Sequence, residues 1–441
     1  MDAAEFRVRG KEIVDMVADY LENVQKRPVY PAVQPGYMRQ LLPEAAPETA
    51  ESWEDVIGDI ERVIMPGAAN PACTELEMIM MDWLGKMLDL PEQFLFCSGG
   101  KGGGVIQGSS SETTLICLLA ARNQAILREK EANPALSEAD IMAKMVGYCS
   151  DQAHSSVIRA GLFGAVKIVL LPTDEQQSLR GETLAHAVQK SKAEGLIPIF
   201  VCATLGTAFS CAFDNIEELG PVCSRERMWL HIDASYAGSA FICPEFRYLL
   251  SGVQFADSFN VSPHKLMRVT FDCSALWLKD SSKLVNTFNV DSALLMHHDG
   301  EGKITDYRHW QIPLARRFRS LKLWFVLRLH GVNGLQEYIR QHVKFAHEFE
   351  TLVLTDRRFE IVGQVVLGLV CFRLKDSNAV NEQLLQRIIQ DGRIHLVPSK
   401  IGNTYFLRFV VCSPDAGSKN VQFAWAVITE LATDLLKDKK Y

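Results

Sequence analysis

The chain has 441 residues, 48% hydrophobic and 22% charged, with a formal net charge of -7. That length exceeds one ordinary core and predicts two or three domains of a soluble globular protein. The modest charge is spread along the chain, which excludes a basic nucleic-acid stripe and a polybasic membrane patch as its main business.

Residues 4–26 place Ile13, Val14, Met16, Val17, Tyr20 and Leu21 at helical spacing. Pro28, Pro31, Pro35, Pro43 and Pro47 then allow extended chain and turns but no long helix. A second helix is predicted over 52–64, with Ser52 as N-cap and Glu54 and Asp55 in its first turn. A third runs over 71–88. From about residue 95 the pattern alternates. Apolar β-branched runs at 145–148, 167–171, 197–203, 228–232, 257–261 and 273–278 are strand candidates. Helical stretches at 111–131, 155–162, 181–193 and 215–225 lie between several of them. This alternation predicts an α/β domain with a mostly parallel sheet covered on both faces. From about residue 320 the expected order is helix 334–355, strands 360–363 and 367–374, helix 380–391, strands 394–397 and 405–411, and helix 419–436. That is a smaller α+β unit.

The 11 cysteines are odd in number, irregular in spacing and free of any Cys-x-x-Cys pair, so a disulfide framework or zinc site is not expected. Met1 to Arg9 is polar rather than signal-like, and no apolar run reaches membrane-spanning length. These features predict a cytoplasmic protein with no metal, membrane or nucleic-acid partner.

Four motifs carry chemistry. Gly108-Ser-Ser-Ser111 precedes a helix expected to start near Glu112, where free backbone N–H groups and the helix dipole favour an anion. The segment before it, Gly99-Gly-Lys-Gly-Gly-Gly104, fits neither a nucleotide-hydrolase phosphate loop nor a dinucleotide fingerprint. Asp151-Gln-Ala-His154 follows an apolar strand, and a histidine there can stack on an aromatic ring and handle protons. His231-Ile-Asp233 puts a carboxylate at a strand end, where α/β sheets bind ligands. Ser262-Pro-His-Lys265 puts an amine after another apolar strand, and a lysine in a closed pocket can form a Schiff base with an aldehyde. Each motif alone has a plainer explanation: a serine N-cap, a structural histidine, an aspartate cap, a surface lysine. Their joint order supplies an anion site, a ring stack, a pyridinium partner and an imine former.

The same strings carry a resemblance across nearly the whole chain. It runs through Gln34-Pro-Gly-Tyr37, Pro71-Ala-Cys-Thr-Glu-Leu-Glu77, Ser150-Asp-Gln-Ala-His-Ser-Ser156, Ala203-Thr-Leu-Gly-Thr207, His231-Ile-Asp-Ala, Pro263-His-Lys265 and Asp306-Tyr-Arg-His-Trp-Gln-Ile-Pro313. The chain resembles the group II pyridoxal-phosphate (PLP)-dependent decarboxylases, on the aromatic-L-amino-acid decarboxylase branch and its insect members in particular. The resemblance implies PLP as cofactor, with an aromatic L-amino acid converted to its amine and CO2. It implies that Lys265 holds the cofactor and Asp233 pairs with the pyridine nitrogen. His154 would stack on the ring and move protons, and Ser110, Ser111, Ser262 and His264 would lie near the phosphate or ring. It implies the aspartate-aminotransferase fold (PLP fold type I): an N-terminal helical arm over 1–66, a large domain over 67–320 and a small domain over 321–441. It further implies a homodimer, with the arm on the partner subunit.

Departures from the family pattern bear on activity. Family members carry several tens of extra residues after the position of Gly67. Leu294 stands where the family's mobile loop has a tyrosine, and leucine donates no proton. Ser262, Leu266, Ala208 and Ser235 replace the family's Asn, Trp, Thr and Ala. A truncated or inactive homologue, or an aldehyde-forming enzyme, is therefore the alternative expectation. His154 argues against the aldehyde route, because insect enzymes of that kind tend to carry asparagine there.

Overall fold

A computed structural model describes residues 2–27, 33–67, 71–289, 305–413 and 415–438. Leu294 and the junction at 68–70 lie outside the described residues. Seven strands form the larger sheet: β1 (Gly103–Gln107), β2 (Met145–Ser150), β3 (Lys167–Leu171), β4 (Ile197–Thr204), β5 (Trp229–Asp233), β6 (Ser258–Val261) and β7 (Ser274–Leu278), in the order β1-β7-β6-β5-β4-β2-β3. β3, β2, β4, β5 and β6 pair in parallel, whereas β7 runs antiparallel to both of its neighbours. β1 therefore points the same way as β6. Strand ends at Gln107, Ser150, Thr204, Asp233 and Val261 share one edge of the sheet. β1, β2, β5, β6 and β7 are buried along their whole length, which is why all of them but β1 read as apolar runs.

β1 escaped the sequence reading because its first two residues are glycines, which disfavour strands. Packing demands them: a Cβ on Gly103 would lie 2.3 Å from the Phe96 ring, and one on Gly104 2.4 Å from the Met81 methyl. Three helix expectations also shift. The helix after β1 begins at Ser110, because Ser109 rather than a later serine caps it. The second helix is regular only over Trp53–Asp59 and closes in a wider π turn, Ile60–Ile64. The helix expected from 334 starts fifteen residues earlier, over Arg319–Thr355, with non-helical backbone at Gly331.

The second sheet is antiparallel throughout: β8 (Phe359–Ile361), β9 (Leu369–Leu374), β10 (Val397–Ile401) and β11 (Thr404–Val410), in the order β10-β11-β9-β8. β10 replaces the strand expected at 394–397. The tight turn at Gly402 (φ 55°) pairs Ile401 with Thr404 and sets the register back to Val397. Helices Asn378–Asp391 and Ser418–Asp438 close the unit over a core that includes Phe349, Phe372 and Leu407. No helix among the described residues is long and apolar enough to cross a membrane. All eleven cysteines are unpaired.

The break at Gly331 receives residues 47–51 of the N-terminal segment. Val332 and Asn333 N–H groups donate to the Pro47 and Glu48 carbonyls at 2.9 and 3.0 Å, and Glu51 N–H donates to the Arg328 carbonyl at 2.9 Å. The Arg328 guanidinium, largely buried, pairs with Glu51 and Asp59 and lies over the Trp324 ring. Gly331 adopts φ 63° and ψ 171°, and a Cβ there would lie 2.5 Å from the Thr49 carbonyl carbon. Backbone in that region is open essentially to glycine alone. Gly331→Ala is expected to cost about 3 kcal/mol through strain and collision, read as a thermal midpoint lowered by several degrees.

Candidate functional site

Asp233 ends β5 and is 3% exposed. Its Oδ1 accepts the Ser235 backbone N–H at 3.0 Å and an Asn260 side-chain N–H at 3.3 Å. Among the described residues no donor reaches Oδ2, so one carboxylate oxygen is pinned and the other is available. The residue that pins it also meets the lysine: Lys265 Nζ donates to Ser235 Oγ at 3.3 Å. Carboxylate and amine thus flank a single serine.

Lys265 lies on the short helix Pro263–Leu266, where Pro263 supplies the N1 position and the Lys265 N–H donates to the Ser262 carbonyl at 2.9 Å. The side chain is exposed to solvent, yet surrounding protein atoms strip much of its water. That desolvation pulls the amine below the usual lysine range, opposed in part by the Asp233 charge. A lowered lysine pKa raises the fraction of free amine, the form that attacks a carbonyl.

His154 follows β2 and is exposed. Its Nδ1 accepts the Ser156 backbone N–H at 3.2 Å and stands 2.8 Å from Ser156 Oγ. A backbone N–H only donates, so Nδ1 carries no hydrogen and the neutral ring keeps its proton on Nε2. The His264 Nδ1 lies 2.6 Å from the Cys273 carbonyl oxygen and 3.3 Å from the Cys273 backbone nitrogen, and its ring stacks on Phe271 with centroids 3.9 Å apart. Burial lowers the His264 pKa, with the Cys273 carbonyl opposing and Lys265 and Lys322 adding to the lowering.

At the start of helix Ser110–Ala132 the Ser109 hydroxyl caps Glu112 N–H, and Glu112 returns a carboxylate oxygen to Gly108 N–H at 3.0 Å. The N–H groups of Ser110 and Ser111 have no acceptor among the described residues. Ser110 is half-buried and Ser111 exposed, so two backbone donors and two hydroxyls remain for an anion. Ser262 behaves differently. It is fully buried, and its Oγ is 3.2 Å from Ser274 Oγ, which turns the hydroxyl into the sheet.

The strand directions bring Ser110, Ser111, His154, Asp233, His264 and Lys265 to one edge. Ser235, named in the sequence only as a departure from the family pattern, joins them. Asn260 and Ser274 also join them and were not singled out from sequence. Arg408 and Tyr236 were also missed. The Tyr236 hydroxyl and Arg408 Nε are buried without partners, and no carboxylate pairs with Arg408 among the described residues. An unpaired guanidinium suits an anionic group.

Removing the Ser235 hydroxyl takes an acceptor from the charged form of Lys265 and so lowers the amine pKa further. Ser235→Ala is expected to move the pH midpoint of pyridoxal incorporation, trapped by borohydride at Lys265, to lower pH. An unmoved or higher midpoint would refute the contact.

Residues 67–375 match the family described as pyridoxal-dependent decarboxylase conserved domain. The chain is 55% identical to the aromatic-L-amino-acid decarboxylase of Rattus norvegicus over 479 alignment positions, covering 100% of both. It is 51% identical to that of Drosophila melanogaster, covering 100% of this chain and 93% of the relative. The rat alignment is longer than the 441-residue chain, so the relative carries residues without a counterpart here. Among solved structures, the fold resembles Oryza sativa TDC with PLP and tryptamine (TM-score 0.80, 32% identity, 99% of both chains). It also resembles Rhodiola rosea 4-hydroxyphenylacetaldehyde synthase (TM-score 0.76, 33% identity, 98% of this chain and 99% of that one). The chain belongs to the pyridoxal-dependent decarboxylase family.

Proposed function

We propose that this chain removes the α-carboxyl group of an aromatic L-amino acid as CO2, using PLP, and releases the amine. The observation that carries the reading is the Ser235 bridge. Its N–H holds Asp233 and its hydroxyl holds Lys265 Nζ, so a carboxylate with one free oxygen stands beside an amine of lowered pKa. Bound PLP supplies an electron sink for the pair left when CO2 departs.

The residues divide the work. The Asp233 Oδ2 lone pairs would accept the pyridinium N–H. The Ser110 and Ser111 N–H groups, aided by the helix dipole, would hold the phosphate with His264 nearby. Lys265 would hold the aldehyde carbon through its amine. His154 would lie against the ring and offers Nε2–H as a proton donor. Ser262 acts behind the site, with its hydroxyl spent on Ser274.

A homodimer completes this reading. No residue of helix Ala3–Asn23 is buried, and Phe6, Val14, Val17 and Leu21 stand exposed along it. An apolar stripe of that size on one helix calls for a partner, and a second copy supplies one. The domain division at 66 and 320 and a cytoplasmic setting belong to the same proposal, the latter supported by eleven unpaired cysteines.

A second reading, oxidative conversion to the aldehyde, is favoured by the likeness to the Rhodiola aldehyde synthase. One experiment separates them. Purified protein loaded with PLP is given L-dopa, 5-hydroxytryptophan, tyrosine or histidine, and CO2, amine and peroxide are measured. Amine equal to CO2, without peroxide, is expected for at least one aromatic substrate. Peroxide matching CO2 selects the aldehyde route, and no CO2 from any substrate refutes both. Lys265→Ala is expected to lose the hydride-trapped adduct and to lower turnover by about a thousandfold or more. In light scattering, the particle is expected at twice the chain mass of 49.3 kDa.

A further inference from the structure

We propose that Asn260 is a positioning residue for Asp233, set by a one-way row of hydrogen bonds that crosses three strands behind the cofactor site. The proposal rests on the PLP reading above and deepens it.

The row is fully buried. Asn260 lies on β6 in register with Asp233 on β5, and Asn260, Ser262 and Ser274 have no solvent exposure. The donor directions follow from chemistry. A carboxylate in this contact accepts, so the Asn260 NH2 donates to Asp233 Oδ1, at 3.3 Å. The Asn260 carbonyl oxygen then faces away and accepts the Ser274 hydroxyl at 2.8 Å. Ser274 has spent its only hydrogen there, so the Ser262 hydroxyl donates to Ser274 Oγ at 3.2 Å. Each link removes one alternative. Without Ser274 the amide is free to flip and present its oxygen to the carboxylate, and without Ser262 the Ser274 hydroxyl is freer to turn.

The consequence falls on Asp233. Ser235 N–H and Asn260 NH2 converge on one oxygen and define the carboxylate plane, so the unpartnered Oδ2 has one direction. A group that must meet an aromatic nitrogen in the ring plane gains from a preset orientation. Neither Asn260 nor Ser274 needs to touch the cofactor for this.

The test compares wild type, Asn260→Leu and Ser274→Ala after removal and re-addition of PLP. Measured are the PLP dissociation constant, the visible circular dichroism of the bound cofactor and the melting curve of the cofactor-free protein. Asn260→Leu is expected to bind PLP about tenfold more weakly, the scale of one hydrogen bond to a charged group. Its visible dichroism should change, because the ring is held at a different tilt. Ser274→Ala is expected to lose about threefold with a smaller spectral change in the same sense. A folded Asn260→Leu protein with wild-type affinity and dichroism overturns the role of Asn260. Should that variant not fold, wild-type values for Ser274→Ala overturn it. A wild-type protein that takes up no PLP overturns the site itself, which is a separate result.

Discussion

Strand direction is the constraint on which the site depends. β1, β2, β4, β5 and β6 run the same way, and the one reversed strand near them, β7, lies between β1 and β6 and brings its first residue, Ser274, to the same edge. Residues far apart in sequence, Ser110, His154, Asp233 and Lys265, therefore follow strand ends on a single edge. Turning β1 around would send the Ser110 helix start, with its two unpaired backbone N–H groups, to the opposite edge. Most of these strands are buried along their length, so a register slip would carry polar ends into apolar surroundings, and the arrangement is held by burial as well as by hydrogen bonds.

Within that frame, polar groups placed inside the sheet must satisfy one another, because water is excluded. Asp233, Asn260, Ser274 and Ser262 do so in sequence across neighbouring strands. Ser235, where the resemblance leads one to expect alanine, brings the Lys265 amine within hydrogen-bonding distance of its hydroxyl. Two of the departures from the family pattern, Ser235 and Ser262, thus retain polar contacts of their own. Their hydroxyls are engaged with neighbours and leave no orphan behind.

The N-terminal arm shows a different principle. Its first helix has no fully buried residue, whereas the segment after it is fastened to the helix break at Gly331 through backbone hydrogen bonds and the Arg328 ion pairs. Removing one partner of such a buried pair leaves a charge without compensation, which costs far more than a surface pair. Arg328 therefore anchors the segment, while the apolar stripe of the first helix is left for another surface.

Much of this was legible in the linear chain. Apolar runs marked β2 to β7 closely, helical spacing marked the arm, and motif order pointed to a pyridoxal site, because periodicity and strand-end chemistry are local properties. What required the tertiary structure was non-local. β1 was hidden by Gly103 and Gly104, whose reason is contact with Phe96 and Met81. The serine cap moved to Ser109 because the capping box closes on Glu112. Asn260 and Ser274 have no signature in sequence, since their importance lies in which strands stand beside β5. Arg408 was equally silent, because a strand pattern does not show that a guanidinium lacks a partner. The sequence by itself determined the kinds of element and the chemistry at their ends. Only the packing of strands from distant parts of the chain decided which donors face which acceptors, because hydrogen-bond geometry is set by neighbours in space.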